Sequence, residues 1–238
     1  MSLTRAPAGL RRLQGDRSGL AAVEFALSLP LLLVAGLYGT ETANLSLTYM
    51  KVSQVAMHVA DNAARIGDTS TISNRAIFEA DVADLLNGSR TQGGTKLNFY
   101  EYGRTIVSSV EVYNPDISCA GKKCSGGFQT PGVQFIHWQR CMGRKNVTSS
   151  YGDEFDSKPS GIGPSGQEVS AEPGTAVIFV EVAYDYQPLV SSRFFGPTTI
   201  TAVSSFTQRD NIDLSGLKKT PRRTGDTAAL CSKFTNAV

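Results

Sequence analysis

The chain has 238 residues, with 23 lysines and arginines against 21 acidic residues and a formal net charge of +2. Residues 1–19 carry +3, from four arginines and one aspartate, so residues 20–238 carry only −1. A nearly neutral body gives no sign of a nucleic-acid surface, and the length allows one membrane segment and one domain of ordinary size.

An apolar segment follows the basic leader. Between Arg17 and Glu41 lie 23 residues, and Glu24 is the single charged residue among them. This is long enough for a membrane-spanning helix. The excess of arginine before the span predicts a cytoplasmic N-terminus and a C-terminal body on the other side of the membrane. Helical periodicity continues beyond the span, so the sequence predicts one long helix over 20–66.

The residues around the start of this helix form a recognisable pattern. Gly19 is followed by Leu20, and an acidic residue with apolar neighbours, Glu24, stands before Phe25. This spacing resembles the processing site of type IV prepilins, which a membrane-embedded prepilin peptidase cuts after the glycine. The resemblance places the cut between Gly19 and Leu20 and makes Glu24 the fifth residue of the mature chain. In lipid, the new α-amine and the Glu24 carboxylate of a neighbouring subunit would neutralise each other.

Two other interpretations of this segment stay open. Glu24 could lie one turn inside the bilayer with its carboxylate reaching back to the interface, beside an ordinary glycine. The leader and apolar run could also form a secretory signal peptide, with weak cleavage sites at 34–36 and 42–43. Against a signal peptide, the apolar run is long and continues as a helix.

The pattern after the span predicts an α+β domain over 67–210. Apolar residues recur at helical spacing in the second half of the long helix, which therefore needs a sheet to cover it. A shorter helix is expected over 74–86, ended by Asn87 and Gly88. Period-two patterns then predict five strands of an antiparallel sheet: 96–102, 105–113, 133–142, 176–186 and 198–208.

Two segments lack such periodicity. Residues 146–174 mix glycine, proline and serine and are expected to form a flexible loop. The C-terminal tail, 211–238, has little apolar content, and we expect a solvated tail there. A contact with an acidic partner is the alternative use of its basic cluster: Lys218, Lys219, Arg222 and Arg223.

Several later motifs narrow the resemblance. The helical end at 61–65, the Trp-Gln-Arg-Cys sequence at 138–141 and the sequence at 182–189 follow the leader in this order. Together they resemble the TadE-like proteins of the tight-adherence (Tad/Flp) pilus system, over roughly residues 15–210. Phe25 stands where tyrosine is frequent in that family.

This resemblance implies a minor pilin or pseudopilin of adhesive type IVb pili, without enzyme activity or cofactor. Its expected partners are the prepilin peptidase, other pilins or pseudopilins and the pilus assembly components of the bacterial inner membrane. The domain would lie in the periplasm or on the cell exterior, either anchored in the membrane or incorporated in the pilus. Two alternatives are an uncleaved membrane-anchored scaffold of the same machinery and a surface adhesive module that uses the 146–174 loop.

The four cysteines all lie on the expected exported side: Cys119, Cys124, Cys141 and Cys231. An even number of cysteines in an oxidising compartment favours disulfides, for which three pairings are possible. Free thiols and a zinc site are the competing accounts. Zinc is disfavoured because no second close pair of cysteines exists and neither histidine lies at ligand spacing.

No catalytic pattern is found in the sequence. The two histidines, His58 and His137, fall on a predicted helix and a predicted strand, where structural roles are expected. Asp153, Glu154 and Asp156 lack the alternating ligand spacing of a calcium loop. We therefore expect a non-enzymatic protein without a metal or another cofactor.

Overall fold

A computed structural model of the protein describes residues 19–67, 75–116, 118, 130–192, 196–209, 212–219 and 228–234. Residues 1–18 of the basic leader, together with Cys119 and Cys124, lie outside the described residues. The helices and strands, in chain order, are α1 (Leu20–Ala63), α2 (Glu79–Leu97), α3 (Phe99–Tyr102), β1 (Gly103–Val112), β2 (Gln134–Met142), β3 (Ala176–Asp185) and β4 (Thr199–Thr207).

The four strands form one antiparallel sheet in the order β2-β1-β3-β4. The α1 helix packs across β3 and β4, and α2 packs beside α1. A long N-terminal helix on an antiparallel sheet is an α+β fold, which confirms the predicted class. Four of the five predicted strands are present with bounds within one residue or two of those expected.

The two halves of α1 have opposite surroundings. From Leu20 to Thr40 every residue is exposed, whereas the second half buries a stripe of apolar residues against the sheet. These buried residues recur at steps of three and four and pack against β3 and β4. The stripe consists of Val52, Val55, Ala56, Val59, Ala60 and Ala63. The domain core is therefore built on the second half of α1, which follows the exposed apolar half.

The loop at 146–174 covers the other face of the sheet. Ile162 and Ala171 are buried there in a second apolar cluster with Phe179 of β3. A short antiparallel bridge joins Ile162 to Val169. The loop is thus part of the domain's packing, and its flexibility stays a prediction.

The region before β1 differs from the prediction. The second helix begins at Glu79, where the Asp81 side chain accepts a hydrogen bond from the Phe78 N–H at 3.0 Å, and it continues to Leu97 with a kink at Gly94. The expected start at 74 and stop after 86 are therefore wrong.

The predicted strand over 96–102 is also wrong. Asn98 adopts a left-handed conformation (φ 40°, ψ 53°), which asparagine tolerates better than most residues, and this turn leads into α3. Phe99 is buried and its ring stacks on Tyr184 with the centroids 6.0 Å apart. The aromatic residues that indicated a strand are thus used by a helical turn to fill the core.

The described parts of the tail pack on the domain, so the prediction of a solvated tail is wrong for them. Ile212 and Leu214 are buried. The Lys218 N–H donates to the Ile77 carbonyl at 2.9 Å, and the Glu79 N–H donates to the Lys218 carbonyl at 2.9 Å. Arg222 and Arg223 lie outside the described residues, while Lys219 is exposed.

The end of the tail is fixed to the outer edge of β2. A disulfide joins Cys141 to Cys231, and the Cys141 N–H donates to the Ala229 carbonyl at 2.8 Å. The buried Arg104 guanidinium donates to the carbonyls of Gly143 and Cys231. Burial also lowers the pKa of Arg104. The disulfide prediction is confirmed for this pair.

Replacing Cys231 with serine is expected to lower the free energy of unfolding by about 2–5 kcal/mol, because the bridge closes a chain segment with a sequence separation of 90 residues. Thermal unfolding of the full chain in detergent measures the loss. The exposed neighbour Ser232 provides the control variant, Ser232→Ala. If Cys231→Ser and Ser232→Ala unfold at the same temperature, the bridge does not stabilise the domain.

Candidate processing site and helix–domain junction

Gly19 lies at the exposed start of α1. Its backbone has ordinary helical angles (φ −81°, ψ −11°), and a Cβ added there would have no heavy atom of the described residues within 4 Å. Its carbonyl accepts a hydrogen bond from Val23 N–H at 3.0 Å. The fold itself therefore does not require glycine at this position.

The Gly19–Leu20 bond is followed by an apolar surface that continues for about six turns. Leu20 and Phe25 are both exposed, as is Glu24 between them. Within the described residues, no basic side chain lies within ion-pair distance of Glu24. The prediction that Glu24 pairs with a neighbouring subunit concerns atoms of another chain and stays a prediction.

The apolar half of α1 has the length of a membrane span. Among the described residues, α1 is the one helix that is long and apolar enough to cross a membrane, and none of its most apolar stretch is buried. Residues 20–40 amount to about 31 Å at 1.5 Å per residue, close to the roughly 30 Å of a bilayer's hydrocarbon core. Tyr38, near the end of this stretch, is the type of residue found at membrane interfaces.

A buried carboxylate marks the point where α1 reaches the domain. Glu41 is 1% exposed and accepts a hydrogen bond from the Tyr186 hydroxyl. It also accepts the backbone N–H groups of Leu189 at 3.1 Å and Val190 at 2.8 Å. Asn44 donates to the Tyr186 hydroxyl oxygen at 2.7 Å. We call these five residues the Glu41 junction.

The Glu41 junction fixes the connection between β3 and β4 to the helix. Burial and the neighbouring Glu41 carboxylate raise the pKa of Tyr186, which therefore stays a hydrogen-bond donor at neutral pH. Charge-assisted bonds of this kind are stronger than neutral ones. In the sequence, Glu41 marked only the point where the apolar segment ends, and its buried role was not predicted. The signal that could have found its role is a carboxylate directly after a span, with a Tyr-Gln-Pro-Leu turn after the third strand.

Two other motifs of the family resemblance, at 61–65 and 138–141, make contacts elsewhere in the domain. Asp61 near the end of α1 pairs with Arg209 after β4, at 2.8 Å. Arg140 of β2 makes a bidentate pair with Glu79 at 2.6 and 2.9 Å and also reaches Glu154 at 3.2 Å. These contacts tie α1 to β4 and α2 to β2, so the motifs have structural roles that do not depend on a pilus.

The polar groups around His137 form a buried hydrogen-bonded cluster. His137 is buried and its Nδ1 lies 2.8 Å from Glu111 Oε2, while Ser109 donates to the other oxygen of Glu111. The serine thus bonds the acid and not the histidine, unlike a nucleophile–base pair. His58 is exposed on α1. Across the described ranges, no group of three or more His, Cys, Asp or Glu residues is placed to hold a metal ion.

Comparisons of the chain with protein-family models, curated proteins and solved structures found no match.

Proposed function

We propose that the protein is a minor pilin or pseudopilin that takes part in assembling Tad/Flp-type adhesive pili. A prepilin peptidase cuts it after Gly19, and the helix then passes from the inner membrane into or beneath the pilus. The observation that carries the proposal is the division of α1 into an exposed apolar half with a single carboxylate and a half that is buried on a sheet.

This division fits the task of a pilin. The apolar half can be stored in lipid and later transferred to the apolar interior of a helix bundle, because nothing in the described domain covers it. The domain stays folded in both places, since its core uses only the second half of α1. The open position of Gly19 leaves the scissile bond free for a peptidase.

Complementation tests this function. A strain that lacks the protein is expected to lose pili and to recover them with the wild-type chain but not with Gly19→Val. Since a Cβ at position 19 meets no heavy atom of the described residues, the variant should reach the membrane at wild-type amounts. Pili are counted by electron microscopy and the protein by immunoblot. Full recovery with Gly19→Val would favour the uncleaved scaffold, whose function does not need the cut.

A second variant tests the alternative that the protein is a surface adhesive module. If residues 146–174 are an adhesive surface, changes to their exposed residues should abolish surface attachment and leave pilus number unchanged. Glu172, an exposed residue of this loop, suits such a change, whereas the buried Ile162 would disturb the sheet. No contact in the described structure favours adhesion over packing for this loop.

A further inference from the structure

The β3–β4 connection carries two exposed apolar residues at the end of the domain from which the span emerges. Leu189 is 67% exposed and Val190 is 37% exposed. A single exposed leucine is ordinary on a protein surface. These two are set apart by their position, since their own backbone N–H groups bind the first carboxylate after the span.

The position of this pair relative to a bilayer follows from the helix. If residues 20–40 cross the hydrocarbon core, Glu41 lies at the interface, and Tyr38 lies one turn inside it. The Leu189 nitrogen is 3.1 Å from a Glu41 oxygen, so the pair stands at the same height as the helix exit. The Glu41 junction holds the β3–β4 connection against α1, because three hydrogen-bond donors bind one buried carboxylate.

We infer that Leu189 and Val190 form a second membrane contact, inserted into the interfacial region of the bilayer beside the helix exit. The partner of this surface is lipid, because the exposed apolar half of α1 ends at the same height. The contact would hold the domain at one orientation on the membrane before extraction. This inference rests on the membrane insertion in the proposed function.

Tryptophan quenching tests the contact. Full-length Leu189→Trp protein is reconstituted in vesicles of phosphatidylethanolamine and phosphatidylglycerol that contain nitroxide lipids, and the emission of wild-type protein, from the buried Trp138, is subtracted. Met57→Trp is the matched control, an exposed apolar residue of α1 that lies about 24 Å beyond Glu41. Leu33→Trp, within the span, reports insertion of the helix.

The inference predicts several-fold stronger quenching of Leu189→Trp than of Met57→Trp, with nitroxides near the headgroup more effective than deep ones. Val190→Trp should give the same order. Equal quenching of Leu189→Trp and Met57→Trp, with Leu33→Trp strongly quenched, would overturn the inference and leave the membrane span standing. An unquenched Leu33→Trp would overturn both. Leu189→Trp emission that changes with the protein-to-lipid ratio, without quenching, would mean that another copy covers the patch, which also overturns it.

Discussion

Replacing Glu24 with alanine should leave cleavage after Gly19 intact and abolish incorporation of the protein into pili. The α-amine of Leu20 exists only after the cut, so the peptidase does not need the pair that Glu24 is proposed to form. After the cut, an amine without its carboxylate partner remains in an apolar environment. Removing one member of a buried ion pair costs about 3–5 kcal/mol, which corresponds to a decrease of more than 100-fold in an assembly equilibrium.

The measurement compares two fractions of the same cells. Sheared pili and membranes are analysed by immunoblot for the mature chain carrying Glu24→Ala. Ser28→Ala is the control, because Ser28 is a polar residue on the exposed apolar half and, among the described residues, its hydroxyl bonds only the Phe25 carbonyl of its own helix. Normal amounts of Glu24→Ala protein in the pilus fraction would contradict the pairing mechanism, whatever happens to cleavage.

Replacing Glu41 with glutamine should detach the β3–β4 connection from the helix. The substitution keeps the shape of the side chain but leaves one oxygen to accept hydrogen bonds from the Tyr186 hydroxyl and two backbone N–H groups. The new amide NH2 is itself a donor and cannot accept any of these hydrogen bonds. Hydrogen bonds to charged groups contribute about 1.5–3 kcal/mol each, so a loss of about 2–4 kcal/mol in local stability is expected.

Hydrogen exchange measures this loss at the amides that are involved. The exchange rates of Leu189 and Val190 should rise at least tenfold in full-length Glu41→Gln protein. Glu101→Gln makes the same chemical change at a half-exposed pair with Arg144 and should have little effect, because exposed ion pairs contribute less than about 1 kcal/mol. Unchanged exchange at both amides would show that Glu41 does not hold the connection.

Sequence periodicity predicted most of the framework because its signals are local. The buried stripe of α1 repeats at helical spacing, and each of the four strands is a run of nine or ten residues rich in β-branched or aromatic side chains. The strand prediction for the segment before β1 was wrong because aromatic residues occur in strands and in helical turns alike. The left-handed Asn98 decided between them.

The contacts that sequence analysis missed join distant parts of the chain. Glu41 and Tyr186 are separated by 145 residues, and no local pattern indicates which carboxylate a given N–H will meet. The packed tail was missed for a related reason. Its few apolar residues are too sparse to form a periodic pattern, yet Ile212 and Leu214 are buried by surfaces from elsewhere in the chain.

Identifying the first residue of the mature protein tests directly whether the chain is cut after Gly19. We would purify the wild-type protein from membranes of cells with and without prepilin peptidase and determine its N-terminus by intact mass and N-terminal sequencing. We expect Leu20 as the first residue in cells with the peptidase and the uncut leader in cells without it. An uncut leader in both would contradict processing, and a first residue within 37–44 in both would identify a secretory signal peptide instead.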